Sequence, residues 1–250
     1  MIIFCLAGVR SGTTALARCF HASPAFVNLG EVFYNAADGM GEYVKKWEHP
    51  DRPSISRFGE FLDFLRADAE HNYWLDIKFH DLNRFNPPQL MVTAPPVLLQ
   101  MIVKSGDPTL LIGRANPLRA AVSRVQAQRS GIYHLERHED RPGHDAAGAD
   151  PAPDRALTIE AIRTALETKA DLQFVEGHLR AHRNLFRVDY EALFSCPEAA
   201  ANRAAVGAWI GTDAIREPDL RKVSSGWPDW FDRELSARVL EGTASQWWLS

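Results

Sequence analysis

The 250-residue chain is poor in cysteine, poor in net charge and without long apolar runs. Its three cysteines, Cys5, Cys19 and Cys196, are odd in number and widely spaced. That argues against a disulfide framework or a zinc site. Cys5 and Cys19 sit in apolar-patterned segments and read as buried thiols, not nucleophiles. A net charge of −4 leaves no global basic field to recruit nucleic acid or an anionic membrane, so any anion binding must come from local clusters. No stretch approaches the ~20 apolar residues of a membrane span. Met1 to Ala7 is too short for a signal segment and lacks a basic flank. No acidic or His/Cys cluster has metal-ligand spacing. These absences point to a soluble, cytoplasmic protein with no metal, no nucleic-acid partner and no membrane span.

The remaining composition is ordinary, at 46% hydrophobic and 24% charged, and the length suits one α/β domain with a sizeable core. Ile2 to Ala7 is an apolar run of the kind that forms a buried parallel strand. It enters a short turn containing Gly8 and Gly12, then an Ala/Leu-rich segment with helical character. A strand, a glycine-containing turn and a helix N-terminus together make an anion site, because unpaired backbone N–H groups and the helix dipole converge there. Arg10 adds a fixed positive charge, and Thr13 and Thr14 add hydroxyls. A purely structural turn with threonine caps is the plain alternative. The loop is not of the ATP-binding type G-x-x-x-x-G-K-[ST], because Thr13 stands where that loop has its lysine.

Further along, the pattern alternates. Phe26 to Leu29 is extended and leads to Gly30-Glu31-Val32-Phe33. Residues 38 to 58 read as loop, and Arg57 to Glu70 as an amphipathic helix. Trp74 to Phe79 alternates like a strand and ends at His80-Asp81. Asn86-Pro87-Pro88 opens a helix crossing Leu98 to Val103. Thr109 to Gly113 is another buried strand, and Pro117 starts a helix to about Ser130. Residues 134 to 155, rich in His, Asp, Glu, Arg, Pro, Gly and Ala, read as a mobile loop or lid. A long helix follows, with Ile159, Ile162, Leu166, Leu172, Val175 and Leu179 forming a rough stripe. Phe186 to Glu191 is a last strand and its exit. Helices are expected over Pro197 to Ile210 and Asp232 to Glu241. This order predicts a P-loop-like, three-layer α/β fold with a central parallel sheet flanked by helices. Residues 1 to 250 read as a single domain. Ligands of such sheets sit at the carboxyl ends of the strands, which gathers Arg10 to Thr14, Gly30-Glu31, His80-Asp81 and Arg114 to Asn116.

Arg10-Ser11-Gly12-Thr13-Thr14 after a first strand resembles the 5′-phosphosulfate loop of sulfotransferases that use 3′-phosphoadenosine 5′-phosphosulfate (PAPS). Leu110 to Arg114, followed by a helix bearing Ser123, is similar to that family's 3′-phosphate motif. Arg114 precedes Ser123 by nine residues where many members have eight. Arg119 and Arg124 are alternatives for the arginine, whose fork suits phosphate oxygens. Gly30-Glu31-Val32-Phe33 resembles the acidic motif of tyrosylprotein and bacterial carbohydrate sulfotransferases. Val188 to Leu193 looks like the strand and turn before the family's late helix. Leu220-Arg221-Lys222-Val223 resembles the C-terminal basic loop over the nucleotide, with Trp227 and Trp230 behind it. Gln128 to His134 is similar to a segment of bacterial members acting on lipid-linked or oligosaccharide acceptors.

The resemblance implies a PAPS-dependent transferase without a metal. Arg10, Ser11, Gly12, Thr13, Thr14, Ala15, Arg114, Ser123, Arg221 and Lys222 would hold PAPS, and Arg10 would also offset charge on the leaving group. The base is Glu31 or His80. Glu31 is placed first because Arg-Ser-Gly-Thr-Thr and Gly-Glu travel together in one branch of the family. His80, in Lys78-Phe79-His80, resembles the Lys-Thr-His segment of cytosolic members, where histidine is the base. The expected acceptor is a hydroxyl, with an amine second, on a saccharide, a glycolipid or other lipid-linked glycan, or a small molecule. Tyr34, Tyr43, Trp47 and Tyr133 are candidates to stack on it. A homodimer is among the expected assemblies. The rivals are a P-loop kinase, which needs a loop lysine and a magnesium-binding acid, and a non-catalytic nucleotide-binding protein.

Overall fold

In a computed structural model of the chain, residues 1–20, 23–33, 55–83, 95–130, 135–136, 153–212, 215–216, 220–221, 227–228 and 231–249 are described. Of the loops read over 38–58 and 134–155, residues 38–54, 134 and 137–152 lie outside them, as do Asn86-Pro87-Pro88, Tyr34, Tyr43, Trp47, Tyr133, Lys222 and Trp230, while 55–58 is helical and 135–136 extended. Two compact units emerge. One comprises Met1–Gly113 with Asp171–Pro218, the other Arg114–Ala170 with Asp219–Ser250.

The first unit is built on strands β1 (Ile2–Ala7), β2 (Phe26–Glu31), β3 (Asn72–Lys78), β4 (Thr109–Gly113) and β6 (Leu185–Asp189), in the order β2-β3-β1-β4-β6. All of these neighbours pair parallel. Strand β1 is buried on both faces, which explains its unbroken apolar run. Its alternate residues feed two separate cores. Ile2, Phe4 and Leu6 pack with α2 (Ile55–Ala67) and α3 (Val97–Ser105), with Val175 and Leu179 in the same cluster. Ile3, Cys5 and Ala7 pack with α1 (Thr13–Phe20) and α7 (Ala199–Trp209). The sheet therefore lies between two helical layers. Each fully buried aliphatic side chain in these layers contributes about 1.5–3 kcal/mol relative to exposure.

The second unit contains α4 (Pro117–Ser130), α8 (Arg233–Leu240) and the part of α5 (Arg155–Leu179) that ends at Ala170. Leu118, Ala121, Val122 and Val125 pack there with Ala161, Ile162, Ala165, Phe231, Leu240 and Trp248. Asp232 caps α8 by accepting a bond from the Leu235 backbone N–H at 2.8 Å. A two-residue antiparallel ladder, β5 (Leu135–Glu136) with β7 (Leu220–Arg221), was not expected from the sequence, because two residues are too few to show a period.

The strand assignments hold to within two residues at each end, and α4 has the predicted span. Two readings need correction. The α5 stripe is not one buried face, since Ile159 is 54% and Leu166 44% exposed while Ile162, Val175 and Leu179 are buried. At 100° per residue Ile159, Ile162 and Leu166 lie on one side of the helix and Val175 and Leu179 on the other, so the six residues do not form one stripe, and on the first side only Ile162 is covered. The helix over Leu98 to Val103 begins at Val97, directly after Pro95-Pro96, because the residue before a proline is driven out of the helical region.

Candidate active site

Strand β1 ends at Ala7, and the chain turns through Gly8–Gly12 into α1. Arg10 and Gly12 both take left-handed backbone angles, φ 61° and 76°. For an arginine this costs roughly 1–2 kcal/mol, a strain characteristic of binding loops. Gly12 is required for a second reason. A Cβ there would lie 2.5 Å from two ring atoms of Tyr190 and 3.3 Å from Phe194, both on α6 (Tyr190–Phe194). Left-handed residues just ahead of a helix N-terminus point backbone N–H groups into one concavity, a shape suited to an anion.

Beneath this loop lies a buried polar cluster. Thr13, the first residue of α1, is 3% exposed. Its hydroxyl donates to Asp76 Oδ2 and accepts from Lys78 Nζ at 2.8 Å. Lys78 Nζ also donates to Asp76 Oδ2 at 2.8 Å and lies 3.2 Å from Glu31 Oε1. Asp76 and Lys78 are each 3% exposed. The single O–H of Thr13 is thus committed to protein, and what Thr13 can offer a ligand is its backbone N–H. The cation beside Thr13 comes from the neighbouring strand. Burial pushes the Asp76 carboxyl above its ordinary value, against the pull of Lys78 and Thr13. Burial alone would lower the Lys78 ammonium, but Asp76 and Glu31 outweigh it and hold it above its ordinary value. Cys5, opposite Asp76 in the β1–β3 register, is pushed well up by burial first and by the Asp76 charge second.

Glu31 reaches Lys78 because β2 contains a bulge. The ladder with β3 runs Asn28 to Trp74 and then Glu31 to Asp76, three steps against two. Asn28 Oδ1 accepts the Gly30 N–H at 2.9 Å, and Gly30 sits at φ 66°. In a regular ladder Glu31 would oppose Ile77 and face the other helical layer. The extra residue turns its carboxylate to the Lys78 side, where it is 38% exposed.

His80 follows β3 in a short 3-10 turn (Phe79–Asn83), its side chain 66% exposed and its Nε2 3.6 Å from Asp81 Oδ1. Ser11 is buried, and Thr14 and Ala15 are half-buried in the first turn of α1. The structure therefore brings Arg10 to Ala15, Glu31 and Lys78 into one unit, with His80 two residues beyond Lys78. Arg114 and Ser123, both half-buried, belong to the second unit. There the Arg119 guanidinium lies 4.8 Å over the Trp227 ring, which stacks on Phe231 at 4.6 Å. The backbone of Arg221 pairs with Leu135.

Asp76 was not singled out from the sequence, and Lys78 only as part of a tripeptide. Their signal was two charges spaced i, i+2 in an otherwise apolar strand, hence on one face. Only burial of both faces turns that spacing into a site. Among the described residues no group of three or more His, Cys, Asp or Glu could hold a metal ion, and no helix is long and apolar enough to cross a membrane.

No family model matches the chain, and neither does any curated protein. Solved structures do match. A sulfotransferase from Alicyclobacillus acidocaldarius is 15% identical, with 98% of this chain and 93% of that one covered at a TM-score of 0.49. Mouse sulfotransferase SULT7A1, complexed with PAP, is 16% identical over 84% of this chain and 58% of that chain, with a TM-score of 0.45. The sulfotransferase domain of the Synechococcus PCC 7002 olefin synthase is 15% identical over 99% and 85%, with a TM-score of 0.41.

Proposed function

We propose that the chain is a sulfotransferase that moves a sulfuryl group from PAPS to a hydroxyl, with an amine as the second choice. The observation that supports this best is the Arg10–Thr14 cradle with Lys78 entering from β3 in place of the loop lysine and Glu31 beside it. Arg10 is held in a left-handed turn directly before the helix N-terminus, where a donor phosphate would meet backbone N–H groups and a guanidinium together. PAPS would supply an activated sulfuryl group on its 5′-phosphate. Arg10 and Lys78 would offset the negative charge that grows on the bridging oxygen as its bond to sulfur breaks. Glu31 would take the proton of the acceptor hydroxyl as that oxygen bonds to sulfur. His80 is the second choice for this role. Arg114, Ser123, Arg221 and Lys222 are assigned to the 3′-phosphate, and the acceptor is a saccharide, glycolipid or small molecule.

The kinase reading meets a specific obstacle. P-loop NTPases hold magnesium between a loop hydroxyl and a strand aspartate. Here Thr13 and Asp76 converge in that manner, but the Lys78 ammonium bonds to both of them. Calorimetry with 3′-phosphoadenosine 5′-phosphate (PAP) and with ATP plus magnesium separates the two. Micromolar binding of PAP alone is the expected result, and preference for magnesium-ATP would overturn the proposal.

A further inference from the structure

The reaction proposed above uses Arg10, Lys78 and Glu31 but gives no task to Asp76, the most deeply placed carboxylate of the cluster. Stability alone does not explain it. A buried ion pair is commonly no better for a fold than apolar residues of the same volume, since desolvation cancels most of the attraction. Every other side chain of β3 between Tyr73 and Ile77 is apolar, so an apolar residue would suit the strand.

The geometry around Lys78 suggests the task. A lysine ammonium has three N–H donors and a flexible four-carbon stem. Three oxygens surround this one: Asp76 Oδ2 and Thr13 Oγ1 at 2.8 Å, and Glu31 Oε1 at 3.2 Å. Two of these partners are buried, on β3 and at the start of α1, whereas Glu31 is the longest contact and is 38% exposed. Thr13 is itself tied to Asp76. Asp76 thus holds both anchors of the ammonium, and the remaining donor rests on the partner best able to leave.

Resting on the sulfotransferase reading, we propose that Asp76 is a positioning residue. It pins Lys78 and Thr13 beneath the loop, so that Lys78 keeps one exchangeable donor, held by Glu31 at rest and passed to a sulfuryl oxygen of the incoming donor. The exchange releases Glu31 to accept the acceptor's proton at the moment the sulfuryl group is in place. Without Asp76 the lysine stem would follow Glu31 and remain paired with it.

The test compares PAPS with PAP, which lacks the sulfuryl group, by calorimetry on the full chain without acceptor. The ratio of the two dissociation constants reads contacts to that group alone. The intact protein is expected to bind PAPS more tightly, and Lys78→Met to erase the difference. Asp76→Asn should reduce the ratio about tenfold, as expected for one charge-assisted hydrogen bond, while PAP affinity stays within about threefold. The double variant Asp76→Asn/Lys78→Met should be no worse than Lys78→Met alone, because Asp76 acts through the lysine. An unchanged ratio in Asp76→Asn overturns the positioning role and leaves the sulfotransferase reading standing. So does an equal loss of both ligands, which marks a structural role. An intact protein that binds neither nucleotide overturns the sulfotransferase reading, and this inference with it. Should Asp76→Asn not fold, Thr13→Val removes the second anchor without altering charge. It is expected to lower the same ratio by a smaller factor, and no change there overturns the proposal.

Discussion

The two ends of β3 each hold an aspartate between a hydroxyl and a side-chain nitrogen, and the two carboxyls are shifted in opposite directions. Before its first residue, Asp68 Oδ2 accepts the Tyr73 hydroxyl at 2.6 Å and lies 2.8 Å from His71 Nδ1. Near its last residue, Asp76 Oδ2 accepts the Thr13 hydroxyl and an N–H of Lys78. Each is an aspartate with one hydroxyl and one side-chain nitrogen. Asp68 is partly exposed, and its hydrogen bonds from Tyr73, then His71, then the Glu70 backbone hold it well below the ordinary carboxylate range. Asp76 is buried, and there burial outweighs the same kind of help and pushes it up. In water, hydrogen bonds win and the group fastens a turn. Under the loop, desolvation wins, and the lysine held against the carboxyl is the main group that opposes it.

The most disruptive way to break this contrast is to remove that lysine. Lys78→Met leaves Asp76 buried without its cation and is expected to cost about 3–5 kcal/mol near neutral pH, measured by urea unfolding. The loss should shrink on acidification. Asp76 already has a raised pKa in the folded protein, and without Lys78 it rises further. The folded state then holds a proton that the unfolded chain gives up, so stability falls as pH rises through that window. An equal loss at pH 5 and pH 8 would mean that Asp76 does not depend on the lysine for its charge.

The second experiment acts on the exposed partner of the same lysine. Glu31→Gln keeps shape and removes the proposed base, and should lower PAPS turnover by roughly 10²- to 10⁴-fold while PAP affinity is preserved. Turnover that survives in this variant transfers the role to His80. A third change tests the roof over the buried end. Gly12→Ala places a methyl 2.5 Å from the Tyr190 ring in a left-handed residue, and should cost about 2–4 kcal/mol in thermal or denaturant unfolding. A melting temperature equal to that of the native chain would show that Tyr190 does not seat the loop. Asp68→Asn, at the exposed end, should have the smallest effect. Because Asp68 is depressed, its contribution is present at neutral pH and is lost as pH falls through the acidic range. The gap between melts of the variant and the native chain should therefore be constant above about pH 5 and narrow progressively as pH falls below the ordinary carboxylate range, and a gap that widens there would contradict the assignment.

Much of the frame was legible in local pattern. The apolar run Ile2–Ala7, the turn around Gly12 and the helix from Thr13 appear where they were read, because each depends on residues within one turn or strand. The five parallel strands follow from the alternation of apolar runs with helical segments. Glu31 was legible as a residue but not as a neighbour. Its approach to Lys78 depends on the Asn28–Gly30 bulge, and a one-residue shift that reverses a side chain leaves no periodic trace. Asp76 was passed over because it sits in a strand read for its apolar residues. The exposure of Ile159 and Leu166 was equally hidden, since a helical period says which residues share a face but not what covers it.

By itself, the amino-acid sequence determined the elements: a first strand, a turn able to hold left-handed residues, a helix whose first backbone N–H groups lie open, and an arginine beside them. These are short-range consequences of backbone sterics and hydrogen bonding. Only the tertiary structure decided which cation lies beneath the loop. Lys78 is 65 positions from Thr13 and bonds to it because β3 pairs along one side of β1, which brings its last residues beside the loop that follows β1. The same pairing sets Asp76 under Thr13, and the β2 bulge turns Glu31 toward them. Strand order and register are non-local, and they are chosen by the packing of two cores against the sheet rather than by any stretch of residues read alone.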